Sequence, residues 1–175
     1  NRRSIQTVHE LLAGDLDIGI VSKTRIPPQL ESQHLGKVSF ELFIPSTLKA
    51  MADLKDPLKT MAELPYASLD GSGETRTAVK DMAQKKKLTI RPALECSGNN
   101  QVAYAIKCGD YCGILPSFYN NHFEEDQVVR VELPGIQKAT LEYVVAWHPS
   151  AMKIREKSIK GAVDSISEIF RAAVK

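Results

Sequence analysis

The chain has 175 residues, of which 43% are hydrophobic and 25% are charged, and its 23 basic and 21 acidic residues give a formal net charge of +2. This length is enough for one domain or two small lobes with a sizeable core, and the near balance of charge does not indicate a nucleic-acid surface. No apolar run approaches the roughly 20 residues of a membrane span, and the odd number of cysteines, 3, argues against a secreted disulfide framework and for the reducing cytoplasm.

The first third of the chain predicts one helix, two strands and a linker. A stripe of apolar residues predicts a helix that begins at Ser4 and ends at Gly14. In chain order, the elements that follow are a buried strand at 17–21, a linker at 25–36 that contains Pro27 and Pro28, a strand at 38–44 that Pro45 ends, and helix-prone residues at 47–64 that Pro57 interrupts.

The rest of the chain alternates strands with helices. In chain order, it predicts a strand at 66–69, a glycine-containing turn at 70–74, a helix at 74–87, a strand at 90–96, a loop at 97–100, a helix at 101–107, and strands at 112–115, 128–133 and 141–147, the last two joined through Pro134 and Gly135. A long helix with an apolar stripe opens at Ser150. This alternation argues for parallel sheets with right-handed crossovers.

The strand at 17–21 is apolar without alternation after Asp17, as expected for a parallel strand that is covered on both faces. Such a strand needs hydrogen-bonded neighbours on both sides, yet no predicted strand precedes it. Either the first strand of the sheet lies upstream of Asn1, or the strand at 17–21 lies at an edge of its sheet. We favour the upstream strand.

Three predicted strands end in polar loops that are rich in small residues, at 22–25, 70–73 and 96–100. Ligands bind outside the carboxyl ends of strands in open parallel sheets, and the last two loops run into helix N-termini, which favour anions. Hydroxyl groups add adaptable hydrogen-bond donors. The loops therefore predict a pocket for a small polar or anionic molecule, while helix capping and plain turns are the alternative. The candidate ligand-binding residues are Ser22, Thr24, Ser72, Ser97, Gly98 and Asn99.

No catalytic constellation is visible in the sequence. It contains no nucleophile elbow, no phosphate-binding loop and no zincin motif. The default interpretation of Cys96, Cys108 and Cys112 is apolar core packing, because a metal site needs three or four convergent ligands. The lysine run 85–87 is interpreted as a solvated helix C-terminus. We therefore expect no enzyme activity, no metal and no cofactor.

Several segments resemble LysR-type transcriptional regulators. "ELLAGDLDIGIVS" at 10–22 resembles the family's apolar helix, Gly, acidic residue, Leu, Asp and apolar strand, and "FELFIPSTLKAM" at 40–51 resembles its strand that crosses into a second lobe. Residues 64–116 have the family's order of strand, helix, strand, helix and a strand that ends in proline, and the closing "LEYVVAWHPS" with its long helix also matches.

The resemblance implies an α/β fold of the type-two periplasmic-binding-protein kind, with two α/β lobes, mixed but mainly parallel sheets, crossover strands and a ligand cleft. The first lobe would comprise 1–44 and 148–175 and would lack its first strand, and the second lobe would comprise 45–147. Two features depart from the family pattern. Tyr111 stands where the family commonly has a glycine, and the cysteine spacing differs from that of the peroxide-sensing branch, so thiol switching is not carried over.

The resemblance also implies a function. The chain would be the domain of a cytoplasmic regulator that senses a small co-inducer, assembles as a homodimer or homotetramer, and reaches DNA only through a helix-turn-helix domain outside this chain. Two alternatives are a transport-associated solute-binding protein of the same fold, which predicts a secretion signal, and an enzyme acting on small carboxylic acids. The enzyme predicts a catalytic acid in the cleft, where the loops carry mainly Ser, Thr and Asn.

Overall fold

The computed structural model describes residues 4–71, 74–133 and 141–173. The chain divides into two compact units, one formed by Asn1–Val38 with Leu141–Lys175 (unit one) and the other by Ser39–Thr140 (unit two). In chain order, the elements are α1 (Ser4–Ala13), β1 (Ile18–Ser22), β2 (Glu31–Val38), β3 (Phe40–Pro45), α2 (Pro57–Glu63), β4 (Tyr66–Leu69), α3 (Glu74–Lys85), β5 (Leu94–Cys96), α4 (Asn99–Lys107), β6 (Cys112–Pro116), β7 (Val128–Glu132), β8 (Leu141–Trp147) and α5 (Pro149–Ala173). Short 3₁₀ helices, Lys23–Arg25, Ser46–Met51 and Ser117–His122, follow β1, β3 and β6.

Unit one is built on a three-stranded antiparallel sheet in the order β1-β8-β2. Helix α1 packs against β1, and α5 packs against β2 and β8. Gly19 permits the close approach of α1, because a Cβ at this position would lie 2.4 Å from the Thr7 methyl group. The apolar residues buried around this sheet are Val8, Leu11, Val21, Leu30 and Val144 near α1, and Leu35, Val145, Trp147, Ile159 and Val163 near α5.

Unit two is built on a five-stranded mixed sheet in the order β5-β4-β6-β3-β7. Strand β4 pairs in parallel with β5 and β6, whereas β3 pairs antiparallel with β6 and β7. Helix α4 lies against this sheet and buries Val102 and Ile106 in a core that includes Phe43 and Leu115. The carboxyl ends of β4, β5 and β6 therefore meet at one edge of the sheet, which positions the loops that lead into α3 and α4.

The predicted α/β fold with mixed sheets is confirmed, but the prediction of parallel pairing is wrong for unit one. Strand β1 pairs antiparallel with β8 and lies at an edge of the described sheet, and Ile20 is 46% exposed. The strand is therefore not covered on both faces. That a further strand lies upstream of Asn1 stays a prediction.

The prediction of a linker over 25–36 is wrong at its end, because β2 begins at Glu31. Pro27 and Pro28 do exclude a helix, but they stand before this strand and leave it free to pair with β8. The hydrophobic pattern of β2 is a weak signal for a strand, because only Leu35 and Val38 are buried.

The predicted strand at 90–96 is longer than the observed one, because β5 covers only Leu94–Cys96. The linking residues Pro134 and Gly135 lie outside the described residues.

The lobes were predicted to meet at 44/45 and 147/148, whereas the two units meet at 38/39 and 140/141. Each boundary therefore differs from its prediction by one strand. The structure places β3 in unit two and β8 in unit one. Pairing explains both placements, because β3 forms hydrogen bonds with β6 and β7, and β8 forms them with β1 and β2.

None of the helices in the described part of the chain combines the length and apolarity needed to cross a membrane.

Candidate functional site

In unit one, the predicted ligand-binding residues Ser22 and Thr24 lie together where β1 ends. Their hydroxyl oxygens are 3.0 Å apart, so that either can donate to the other. Ser22 is only 5% exposed, whereas Thr24 is exposed. The backbone N–H of Ser22 donates to the Ser4 hydroxyl at 3.1 Å, which fixes the end of β1 to the first turn of α1. The structure therefore forms a hydroxyl pair here, next to a backbone hydrogen bond that fixes Ser22.

A charged cluster flanks this hydroxyl pair. Glu142 accepts a hydrogen bond from Lys23 at 2.8 Å and lies 3.5 Å from the Lys37 ammonium group. The hydrogen bond from Lys23 is the main reason that the pKa of Glu142 is below its usual value. The carboxylate beside Ser22 and Thr24 is thus neutralised by two lysines within unit one.

In unit two, the loops after β4 and β5 leave the sheet at the same edge. The two strands are parallel with Leu69 opposite Cys96, and the backbone N–H of Asp70 donates to the Cys96 carbonyl at 2.8 Å. The predicted meeting of strand ends is confirmed for these loops, which we name the unit-two rim (residues 69–71 and 96–101). Ser72, the remaining predicted ligand-binding residue, lies outside the described residues.

The loop that holds Ser97, Gly98 and Asn99 is organised by Gln101. The Gln101 side-chain oxygen accepts hydrogen bonds from the Ser97 backbone N–H at 2.8 Å and from the Ser97 hydroxyl at 3.0 Å. Gly98 is the N-cap of α4 and provides no side-chain cap, and Gln101, at the third helical position, reaches back beyond Gly98 to Ser97. The described residues offer no acceptor for the side-chain N–H groups of Gln101, which leaves two donors at this helix N-terminus.

The two asparagines that follow Gly98 have different roles. The side-chain oxygen of Asn100 accepts a hydrogen bond from the Tyr119 hydroxyl at 2.6 Å, and this contact ties α4 to the segment after β6. Asn99 is half-buried and makes no side-chain hydrogen bond within the described residues. Asn99 is therefore the asparagine of this loop whose amide group is free to meet a ligand.

Sequence reasoning did not identify Arg76, which braces the unit-two rim from α3. Its guanidinium donates to the carbonyl oxygens of Leu69 and Gly71, both at 3.4 Å, and forms an ion pair with Glu95 at 2.8 Å. No local sequence signal points to this contact, because Arg76 and Glu95 meet only when β4 and β5 pair. Gln101 was also missed, because Gly98 at the N-cap lacks the Ser or Thr side chain of the capping-box pattern.

The cysteines are only partly as predicted. Cys96 and Cys112 are buried and free, and burial raises the pKa of both thiols, that of Cys112 to about 12. Cys108 is exposed, so the prediction of core packing is wrong for it: the residue follows the last turn of α4 and does not point into the sheet. The described residues contain no cluster of His, Cys, Asp and Glu side chains suited to a metal ion.

Comparisons with known proteins agree with this architecture. The family model described as the LysR substrate binding domain matches residues 2–155. The structure resembles the reduced form of the regulatory domain of OxyR2 from Vibrio vulnificus, with a TM-score of 0.69, 19% sequence identity and coverage of 95% of this chain and 78% of that one. No curated protein sequence matches the chain.

Longer regulators share the fold as well. HinK, a LysR family transcriptional regulator from Pseudomonas aeruginosa, superposes with a TM-score of 0.65 and 19% identity over 94% of this chain and 57% of that one. Full-length CbnR in complex with its target DNA superposes with a TM-score of 0.60 and 14% identity over 99% of this chain and 56% of that one. Since the family model covers most of the residues, the chain belongs to the LysR substrate-binding domain family and is the effector-sensing domain of a transcription regulator.

Proposed function

We propose that the effector of this domain is a small polar or anionic molecule. The proposed binding groups are the hydroxyls of Ser22 and Thr24 in unit one, and the hydroxyl, amide and backbone N–H groups of Ser97, Gly98 and Asn99 in unit two. The observation that carries the proposal is the construction of the unit-two rim. Two loops leave parallel strands together, and one of them enters α4 with its first turn held by the Gln101–Ser97 hydrogen bonds.

The charges near these residues support a ligand that is neutral or negative. Two carboxylates near the proposed residues are already paired: Glu95 with Arg76 at 2.8 Å and Glu142 with Lys23 at 2.8 Å. The N-terminus of α4 adds a partial positive charge and backbone N–H groups without intrahelical acceptors. A carboxylate would gain charge-assisted hydrogen bonds here, next to Glu95 and Glu142 side chains that are already paired with basic residues.

This donor set suits several classes of small acid. Hydroxyl and amide groups can bind a carboxylate and the hydroxyl or amino groups beside it, so amino acids, sugar acids and aromatic acids all fit. None of the proposed residues is a general acid or base, which favours binding over turnover. As a sensor, the domain changes its state only if the effector binds one arrangement more tightly than another.

Membership of the family supports a proposal for the partners. In this proposal the regulator works in the cytoplasm as a homodimer or homotetramer, and effector binding alters its action at target DNA. Analytical ultracentrifugation of the chain with and without effector tests the assembly. A monomer under both conditions would reject self-association through this domain.

The binding proposal is tested by a thermal-shift screen with amino acids, sugar acids and aromatic acids, followed by calorimetry on the compound that stabilises the chain most. Thr24→Ala and Ser97→Ala are each expected to weaken binding by about 1–3 kcal/mol, because a buried polar group of the ligand loses its partner. Ser32→Ala, at an exposed position of β2, is the matched control and leaves the affinity unchanged. Equal affinities of the wild-type chain, Thr24→Ala and Ser97→Ala would reject the proposed site.

A further inference from the structure

A positively charged groove lies at the C-terminal end of α3 in unit two. Its volume is about 630 Å³, and three cationic residues, Lys80, Lys87 and Arg91, line it together with apolar residues that include Ala83 and Leu88. No acidic side chain is among the lining residues. We name this feature the basic groove; its lining residues all fall within 80–91, and none of them belongs to the proposed effector site.

The three cationic side chains of the basic groove are exposed and unpaired. Within the described residues, none of Lys80, Lys87 and Arg91 forms an ion pair or a side-chain hydrogen bond. The neighbouring Lys86 differs, because it lies 2.9 Å from the Asp56 carboxylate. The chain therefore neutralises one lysine of the run 85–87 internally and leaves the charge of Lys87 in the groove available to a partner.

Lys87 occupies a backbone position that favours glycine. Its φ of 56° is in the left-handed region. Its N–H donates to the Gln84 carbonyl at 3.1 Å, while the N–H of Leu88 donates to the Ala83 carbonyl at 2.8 Å. These two bonds form a Schellman motif, in which glycine is the usual residue at this position, and any other L residue carries a conformational cost there. Stability of the folded state alone would therefore favour glycine at position 87, so we infer that the Lys87 side chain has a role outside folding.

Attraction of cations to the C-terminal end of a helix accounts for only part of the cluster. That effect is confined to the last turn, which contains Lys85. Lys80 lies more than a turn earlier, and Arg91 lies beyond the helix. A partner that needs several positive charges in one groove accounts for all three residues.

We propose that the basic groove contacts the phosphate backbone of duplex DNA without regard to base sequence. The family model assigns this domain to a regulator of transcription, and the three positive charges of the groove complement the polyanion on which such regulators act, which is DNA. Unpaired lysine and arginine side chains bind phosphates by releasing condensed counterions. This proposal departs from two expectations from the sequence: that the lysine run is a merely solvated helix end, and that the regulator reaches DNA only through a helix-turn-helix domain outside this chain. It does not depend on the effector site.

The test is a fluorescence-anisotropy titration of the chain on a labelled duplex of arbitrary sequence, at several salt concentrations. Three phosphate contacts give a slope of about −2.7 in a plot of log affinity against log salt, which is roughly a 40-fold loss of affinity between about 50 and 200 mM. The triple variant Lys80→Gln, Lys87→Gln, Arg91→Gln is expected to lose most of this slope and to bind at least about tenfold more weakly at low salt.

The matched control is Lys153→Gln, Lys157→Gln, Arg171→Gln, which removes the same charges from exposed positions of α5. We expect this control to retain the wild-type salt slope. Failure of the wild-type chain to bind the duplex at low salt, or equal losses in the two triple variants, would overturn the proposal. Neither outcome bears on the effector site, whose test uses Thr24 and Ser97.

Lys87→Gly separates binding from folding. Glycine relieves the left-handed backbone, so that the urea midpoint of this variant is expected to rise while its salt slope falls by about 1. A more stable protein that binds the duplex less tightly supports a role for Lys87 in phosphate binding. An unchanged slope in this variant would remove Lys87 from the proposal.

Discussion

Gln101 accepts two hydrogen bonds from Ser97, one from the backbone N–H at 2.8 Å and one from the hydroxyl at 3.0 Å. This contact closes the loop between β5 and α4 and fixes the first turn of the helix. The geometry of the proposed ligand-binding loop therefore depends on a residue that is itself outside the predicted site.

Gln101→Ala should loosen this loop before any ligand is added. Loss of the hydrogen bond to the Ser97 N–H is expected to cost about 0.5–1.5 kcal/mol, or about 2- to 10-fold in amide exchange protection at Ser97. Hydrogen-exchange NMR measures this directly. Gln6→Ala, which removes the exposed hydrogen bond from Gln6 to Glu10, is the control. Equal protection of the Ser97 amide in the wild-type chain and in Gln101→Ala would show that Gln101 does not hold this loop.

Gly113→Ala should destabilise unit two by forcing α4 away from β6. A Cβ at this position would lie 2.7 Å from a methyl carbon of Val102 and 3.1 Å from one of Ile106. Overpacking of this kind costs about 1–3 kcal/mol, measured as a lower urea midpoint. Gly161→Ala, where nothing lies within 4 Å of the added atom, is expected to stabilise α5 by about 0.5–1 kcal/mol; a stabilised Gly113→Ala variant would show that the helix is not closely packed here.

The three cysteines should differ in reactivity. Burial raises the pKa of Cys112 to about 12, so about one thiol in ten thousand is ionised at pH 8, and the thiolate is the nucleophile. Cys108 is exposed. We expect iodoacetamide to alkylate Cys108 first in the folded chain, and Cys96 and Cys112 only after denaturation, as read by peptide mass spectrometry. Alkylation of Cys112 as fast as Cys108 would contradict the buried placement.

Asp56 should contribute stability that depends on pH. Its carboxylate accepts from the Lys59 backbone N–H at 3.2 Å as the N-cap of α2, and a hydrogen bond from Lys86 is the main cause of its lowered pKa. Because the pKa is lower in the folded state, the stabilisation is present at neutral pH and is lost as the pH falls through the folded-state value. Asp56→Ala should therefore lower the unfolding free energy by about 1 kcal/mol at pH 7.

Asp56→Asn separates the cap from the charge. Asparagine also caps helices well, so this variant should lose mainly the pairing with Lys86. Urea unfolding at about pH 7 and pH 3 should show a deficit relative to wild type that shrinks at the lower pH. A deficit of equal size at both pH values would assign the effect to the cap alone.

Local patterns predict the parts of the fold that depend on nearby residues. Gly14 ends α1 as expected, with a φ of 81°, and the loop at 97–100 lies between β5 and α4 with only small shifts of the boundaries. Here the deciding interactions are turns, caps and strand ends, which a short window of sequence contains. Ser97, Gly98 and Asn99 were therefore accessible to prediction as a group.

Features that depend on pairing between distant segments, such as strand β2, could not be predicted from the sequence. Strand β2 has few buried side chains and forms by pairing with β8, where Glu31 lies opposite Trp147. The Trp147 indole also donates to the Glu31 carboxylate at 2.8 Å. The contact between Arg76 and Glu95 cannot be predicted for the same reason. The residues around each of them do not specify that β4 and β5 become adjacent strands.

The most direct test of the effector site is an NMR titration of the ¹⁵N-labelled chain with the acid that gives the largest thermal shift. We predict saturable changes at the amides of Ser22, Thr24 and residues 97–99 that all fit one dissociation constant. Saturable changes confined to residues 80–91, or to any region that excludes both groups, would contradict the account.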